Sequence, residues 1–208
     1  MNTMTLRALL LLAPLALAAC SSAPTRYYTL IPSGAPANQA PMAAPTFQFE
    51  MLPVRMPVQV DQPQLVVRQD QGSLAVLENS RWGAPLADEF HDALVGQLEQ
   101  QLGARDLAGL PKQAGKPLLS LRTDVRRFDS MPGQYALVDV VWSLSLRNEG
   151  ETRRSLTCST VLRQPAGVDL DSLVLAHQQA IGQLATTIAS TAKAWAPSGS
   201  AGCPGPKL

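Results

Sequence analysis

Histidine, aromatic residues and net charge are all scarce in this chain, and each scarcity removes a class of function. There are two histidines, His91 and His177, and aromatic residues make up 5% of the sequence. No His-x-x-x-His, Cys-x-x-Cys or Gly-x-Ser-x-Gly pattern occurs, and no glycine loop is built to cradle a phosphate. A converging set of nucleophile, base and orienting group is therefore missing. His91 reads as a solvated helix residue. His177 falls on an apolar stripe, where a packed core role outweighs that of a base. Asp88, Glu89 and Asp92 form an acidic first helical turn, which complements the helix dipole without further purpose. The expectation is a non-catalytic protein with no metal and no bound cofactor.

Formal net charge is +1, and without Arg7 the balance is 16 residues of each sign. No basic cluster in the sequence exceeds the pairs Arg126-Arg127 and Arg153-Arg154, which read as solvated strand ends, so a nucleic-acid partner is excluded. No segment reaches the roughly 20 apolar residues that a spanning helix needs.

What is present begins at the N-terminus. Arg7 precedes a 12-residue uncharged stretch, Ala8 to Ala19, which is short for a span and suited to a signal h-region. It ends Leu17-Ala18-Ala19-Cys20, which resembles the bacterial lipobox. The thiolate of Cys20 is the nucleophile there that can accept a diacylglycerol. Residues 1–19 are expected to be cleaved, leaving Cys20 with diacylglycerol and an N-acyl chain. Two or three acyl chains anchor durably where one would not. Ser21, rather than Asp, follows the cysteine. By resemblance to enterobacterial lipoproteins this permits passage to the outer membrane, with the domain facing the periplasm.

Residues 20–26 form a lipidated tether that reaches at most about 20 Å when extended. The domain is expected over 27–196, with a flexible tail over 197–208. Export places Cys158 and Cys203 in an oxidising compartment, so they are either a disulfide pair or a buried small hydrophobe and a free thiol.

Along the domain, Tyr27-Tyr28-Thr29-Leu30 has strand character, and Pro32 to Pro45 is a loop. Phe47, Phe49 and Met51 alternate as in a strand. Leu65–Arg68 and Ser73–Leu77 flank Asp70-Gln71-Gly72 as a hairpin. Leu86, Phe90, Leu94, Leu98 and Leu102 trace a helix that Gly103 stops. Three strands follow, carrying Leu119, Leu121 and Val125, then Val138 to Leu146, then Leu156, Cys158 and Leu162. Their short turns imply antiparallel pairing. A last helix starts after Asp169 or Asp171, runs through His177 and Trp195, and ends at Pro197. The pattern predicts an α+β domain: a single antiparallel β-sheet with two helices packed on one face.

These residues also resemble a family. Tyr27-Tyr28-Thr29-Leu30, the run Asp61 to Arg68, Arg81-Trp82-Gly83-Ala84-Pro85-Leu86, Arg127-Phe128-Asp129 and the Trp142 strand resemble, in order and spacing, the PqiC-like auxiliary lipoproteins of ABC-type transport. Gly83 stands where that pattern leads one to expect alanine. The resemblance implies a non-catalytic component of an envelope lipid-transport system that partners MCE-domain (mammalian cell entry) proteins, with assembly into a homo-oligomeric ring as an option. For a partner-contact surface, Tyr27, Arg81 and Trp82 are the candidates, since Trp, Tyr and Arg dominate binding hot spots. Each has an alternative: Trp82 could pin the helix to the sheet, and one of Tyr27 and Tyr28 should face the core. Arg68 either pairs with a carboxylate or stands exposed.

Overall fold

A computed structural model describes residues 24–34, 45–200 and 202–205. The signal segment and Cys20 lie outside them. The elements follow in the order β1 (Arg26–Tyr28), β2 (Gln48–Met51), β3 (Gln64–Arg68), β4 (Leu74–Trp82), α1 (Leu86–Leu102), β5 (Leu118–Met131), β6 (Tyr135–Arg147), β7 (Arg154–Pro165) and α2 (Leu170–Ser198).

That order matches the expected one, but the pairing corrects the fold. There are two mixed sheets, not a single antiparallel one: a three-stranded sheet ordered β1-β4-β3 and a four-stranded sheet ordered β2-β5-β6-β7. β3–β4, β5–β6 and β6–β7 are antiparallel, as their short turns dictate. β1 runs parallel to β4, and β2 runs parallel to β5. Parallel neighbours need a long crossover, and α1 lies within the one that joins β2 to β5. Long crossovers leave no local trace of their partner, whereas hairpin turns do.

α1 begins after Pro85 at the N-cap and closes on Gly103, whose φ of 67° suits a residue without a Cβ. α2 is capped by Asp169, whose side chain accepts the Ser172 amide, and it continues through Pro197 to a left-handed Gly199. The stop therefore falls at the glycine and not at the proline, because a ring in the final turn removes only one bond of the ladder. Among the described residues no helix is long and apolar enough to cross a membrane.

The core lies where α2 covers the larger sheet, with α1 packed beside α2. Trp142, Leu144, Leu184 and Ile188 are at most 1% exposed. The buried indole of Trp142 keeps a partner by donating from Nε1 to Thr160 Oγ1 at 2.9 Å.

A β-bulge at Arg126 is the feature of β5 that matters most for the surface. Val125 pairs with Val140 and Arg127 with Asp139, so one residue is extra. Before it, Leu119, Leu121, Thr123 and Val125 face the helices. After it, Phe128 and Ser130 do, meeting His177. The strand's inward phase has moved by one residue, which sends Arg127 and Asp129 to the opposite face.

Candidate functional site

The N-terminal strand is held by one carboxylate. Glu89, in the first turn of α1, is 5% exposed. Its Oε2 accepts from Thr29 Oγ1 at 2.7 Å and from the Leu30 amide at 2.8 Å, while Oε1 accepts from the Ala84 amide at 3.1 Å. A buried carboxylate is costly unless its lone pairs are met, and three donors meet them here. Gln178 of α2 adds a bond from Nε2 to the Thr29 carbonyl at 3.0 Å. Residues just beyond the tether are thus clasped by both helices. A methyl group on Gly83 would stand 3.0 Å from Glu89 Oε1, so the glycine gives the clasped carboxylate its room.

The expected contact residues separate around this clasp. Tyr27 is 68% exposed and its neighbour Tyr28 is 8% exposed, the opposite orientations that a strand imposes. Trp82 is 5% exposed, with its ring edge-on to Phe128 at 6.2 Å between centroids. It is a core residue pinning the start of α1, so it offers no surface to a partner. Arg81, the register partner of Tyr27, is half-buried, and its Nε lies buried without a hydrogen bond among the described residues. Of the three, Tyr27 is the one presented to solvent.

His177 is fully buried and stacked on Phe128 at 3.9 Å, with Nε2 in a 2.8 Å hydrogen bond to Ser130 Oγ. Its Nδ1 has no partner among the described residues, so it is packed but only half satisfied. Burial pushes its pKa down to about 3, which keeps it neutral at physiological pH. His91 bonds its neighbour Asp92 through Nδ1 at 3.0 Å. Cys158 and Cys203 are joined as a disulfide, their Cα atoms 5.5 Å apart, and this ties the C-terminal segment to β7. Among the described residues no three His, Cys, Asp or Glu side chains are grouped to hold a metal ion.

Comparison with known families finds a match over residues 28–189 to the ABC-type transport auxiliary lipoprotein component. The chain belongs to the ABC-type transport auxiliary lipoprotein family. A comparison with curated proteins finds no match. Among solved structures the fold is similar to a protein from Xanthomonas campestris of the DUF330 family, at 21% identity and a TM-score of 0.57, covering 86% of this chain and 99% of that one. It is also similar to an uncharacterized protein at 18% identity and a TM-score of 0.58, covering 81% and 98%. The auxiliary-lipoprotein segment starts at Tyr28, beside the clasp, and ends inside α2. Trp195 and Cys203 lie outside it.

Sequence reading missed Glu89 because an acidic residue in a first helical turn already has a sufficient reason to be there. The signal that was available is its spacing: Glu89 stands three residues after Leu86 and four before Ala93, on the apolar stripe, so the carboxylate had to be buried against something.

Proposed function

We propose that this auxiliary lipoprotein is the outer-membrane-anchored, non-catalytic accessory of an MCE-type ABC lipid-transport system. It is held by diacylglycerol and an N-acyl chain on Cys20, and it works by contact with MCE-domain proteins. The observation that carries the reading is the family match through nearly all of the folded domain, residues 28–189. The filled interface between helices and sheet supports contact over carriage. Trp142, Leu144, Ile181 and Leu184 occupy the space an acyl chain would need, each at most 1% exposed. The tether of about six residues keeps the domain close to its membrane, so a partner must come to it. Exposed Tyr27, in the strand nearest the anchor, is the residue offered for that contact.

Pull-down of the acylated protein with the MCE-domain proteins of the same envelope tests this. Capture that weakens with Tyr27→Ala is expected. Failure to bind any of them, together with co-purified phospholipid, would replace the reading with that of a lipid-carrying lipoprotein. Fractionation of mature Cys20→Ser with a high-salt wash separately tests the anchor: the wash should strip the variant from the membrane fraction and leave the acylated protein in it.

A further inference from the structure

The bulge at Arg126 gathers charges that are far apart in the sequence. Arg68 of β3, Arg127 of β5 and Arg163 of β7 line one open cleft of about 470 Å³, together with Asp70, Gln71, Met131, Gln134 and Tyr135. Asp129 orders two of the arginines. Its Oδ1 accepts from Arg68 Nη2 at 3.2 Å and its Oδ2 from Arg127 Nη2. Arg68 Nη1 donates to the Gln71 carbonyl at 3.2 Å, which fixes the guanidinium on the β3–β4 turn, while its Nε has no partner among the described residues. Arg163 Cζ lies over the Tyr135 ring, 3.9 Å from its centroid. The carboxylate of Asp70 is turned to the amides of Gly72 and Ser73, both at 2.8 Å. Asp129 is occupied by two cations and Asp70 by backbone, so three guanidiniums in the cleft face two engaged carboxylates. A phosphate suits such a set, because planar guanidiniums bind its oxygens in pairs.

The cleft lies at the end of the domain from which the chain enters β1. The β5–β6 turn beside it is fastened to the start of α2: Gly133 donates to the Gly167 carbonyl at 2.8 Å, and Ala166 to the Gln134 carbonyl at 3.3 Å. Four residues past Gly167, Asp171 pairs with Arg26 at 3.2 Å. β1 runs parallel to β4 with Arg26 beside Ser80, so the chain enters β1 from the direction of Leu74, which is paired with Arg68. Val168, 84% exposed, stands at the same end.

We infer that this cleft binds the phosphate of an anionic phospholipid headgroup in the membrane that carries the anchor. The domain is then oriented by two attachments, the acyl chains and the arginine cleft, with its other faces left for a partner. The choice of membrane as the phosphate source rests on the Cys20 anchor proposed above. Arg163 and Arg127 are the contacting residues; Asp129, itself held by Arg68, positions Arg127, and the Tyr135 ring positions Arg163.

The test uses the whole mature chain as Cys20→Ser, so that no acyl chain contributes, in co-sedimentation with vesicles. Vesicles of phosphatidylcholine with 30% phosphatidylglycerol, a fraction chosen as roughly that of a strongly anionic leaflet, should retain the protein, and pure phosphatidylcholine should not. Arg127→Ala with Arg163→Ala should lower binding roughly 30-fold, the effect of removing two cations from a membrane surface. A matched control is Lys112→Ala with Lys116→Ala, in the second basic cleft beside Leu118 and Arg147. That cleft lies at the other end of β5, about 40 Å away along the strand, and its loss should leave binding unchanged. Equal retention on neutral vesicles, or an equal loss from the lysine pair, overturns the inference. Arginine-dependent thermal stabilisation by inorganic phosphate without vesicle binding overturns the membrane as the source. Because the protein is unacylated, these outcomes do not depend on whether Cys20 is lipidated or whether an MCE partner exists.

Discussion

Removing the Glu89 carboxylate should release the N-terminal segment that follows β1. In Glu89→Ala the Leu30 amide, the Ala84 amide and the Thr29 hydroxyl lose their acceptor together, and Leu30 is itself fully buried. Hydrogen bonds to a charged partner contribute about 1.5–3 kcal/mol each, and a stranded buried donor costs about 1–3 kcal/mol. The three share one carboxylate and are not additive. The Thr29 hydroxyl and the Ala84 amide can also turn to water. The expected loss is therefore about 3–5 kcal/mol, or roughly 6–20 °C in Tm for a domain of this size. Glu89→Gln keeps one acceptor oxygen and should fall about midway. Denaturant unfolding followed by Trp fluorescence gives the equilibrium change, and amide exchange at Leu30 reports the local release. Exchange at Leu30 should approach that of an open strand in Glu89→Ala, while amides of β6 speed up only in proportion to the loss of global stability. A loss under 1 kcal/mol, or a Leu30 amide that stays as protected as those of β6, would refute the clasp.

Other outcomes follow from the same geometry. Gly83→Ala should destabilise by about 1 kcal/mol, because its methyl meets a carboxylate held by three bonds rather than a free side-chain end; no change in the denaturant midpoint would refute this. Alkylation of the unfolded protein without reductant should leave Cys158 and Cys203 unlabelled. Replacing both by serine should cost about 4 kcal/mol in the chain-entropy account, for a loop of 45 residues. For His177 the folded pKa is depressed from 6.5 to about 3. The unfolded chain then binds more protons between those values, so stability is fully present above pH 6.5 and falls as pH drops towards 3. Between pH 7 and pH 4.5 the histidine should account for about 2–3 kcal/mol of lost stability. His177→Gln should remove that share of the pH dependence, and an unchanged difference between the two pH values would sink the assignment.

What was legible in the sequence is what depends on near neighbours. The expected lipobox at Cys20 is a contiguous motif, and it lies outside the described residues. The Leu86 to Leu102 stripe and the strands of β5, β6 and β7 show their period within a dozen residues, and short turns reveal which strands are hairpins. The order of elements followed from these alone. The pairing of β1 with β4 and of β2 with β5 did not, because parallel strands meet across long connections that carry no turn signal, and so one expected sheet became two. Trp82, just before α1, and Tyr27, in β1, are both aromatic candidates for a contact, and composition could not say which faced outward. Burial decided it, since one ring fills the space beside Phe128 and the other lies on the exposed face of an edge strand.

The expected anchor and the family are thus read from the linear chain: the lipobox resemblance at Cys20 needs only immediate neighbours, and the family match runs along the sequence. Charge is the opposite case. By sequence the chain beyond Arg7 is neutral, with arginines in ones and twos. Only folding, through one extra residue at Arg126 that reverses which side chains face inward, brings Arg68, Arg127 and Arg163 onto a common surface at the end where the chain enters β1. Electrostatic character depends on distances of a few ångströms between groups that lie tens of residues apart, and those distances exist only in the tertiary structure.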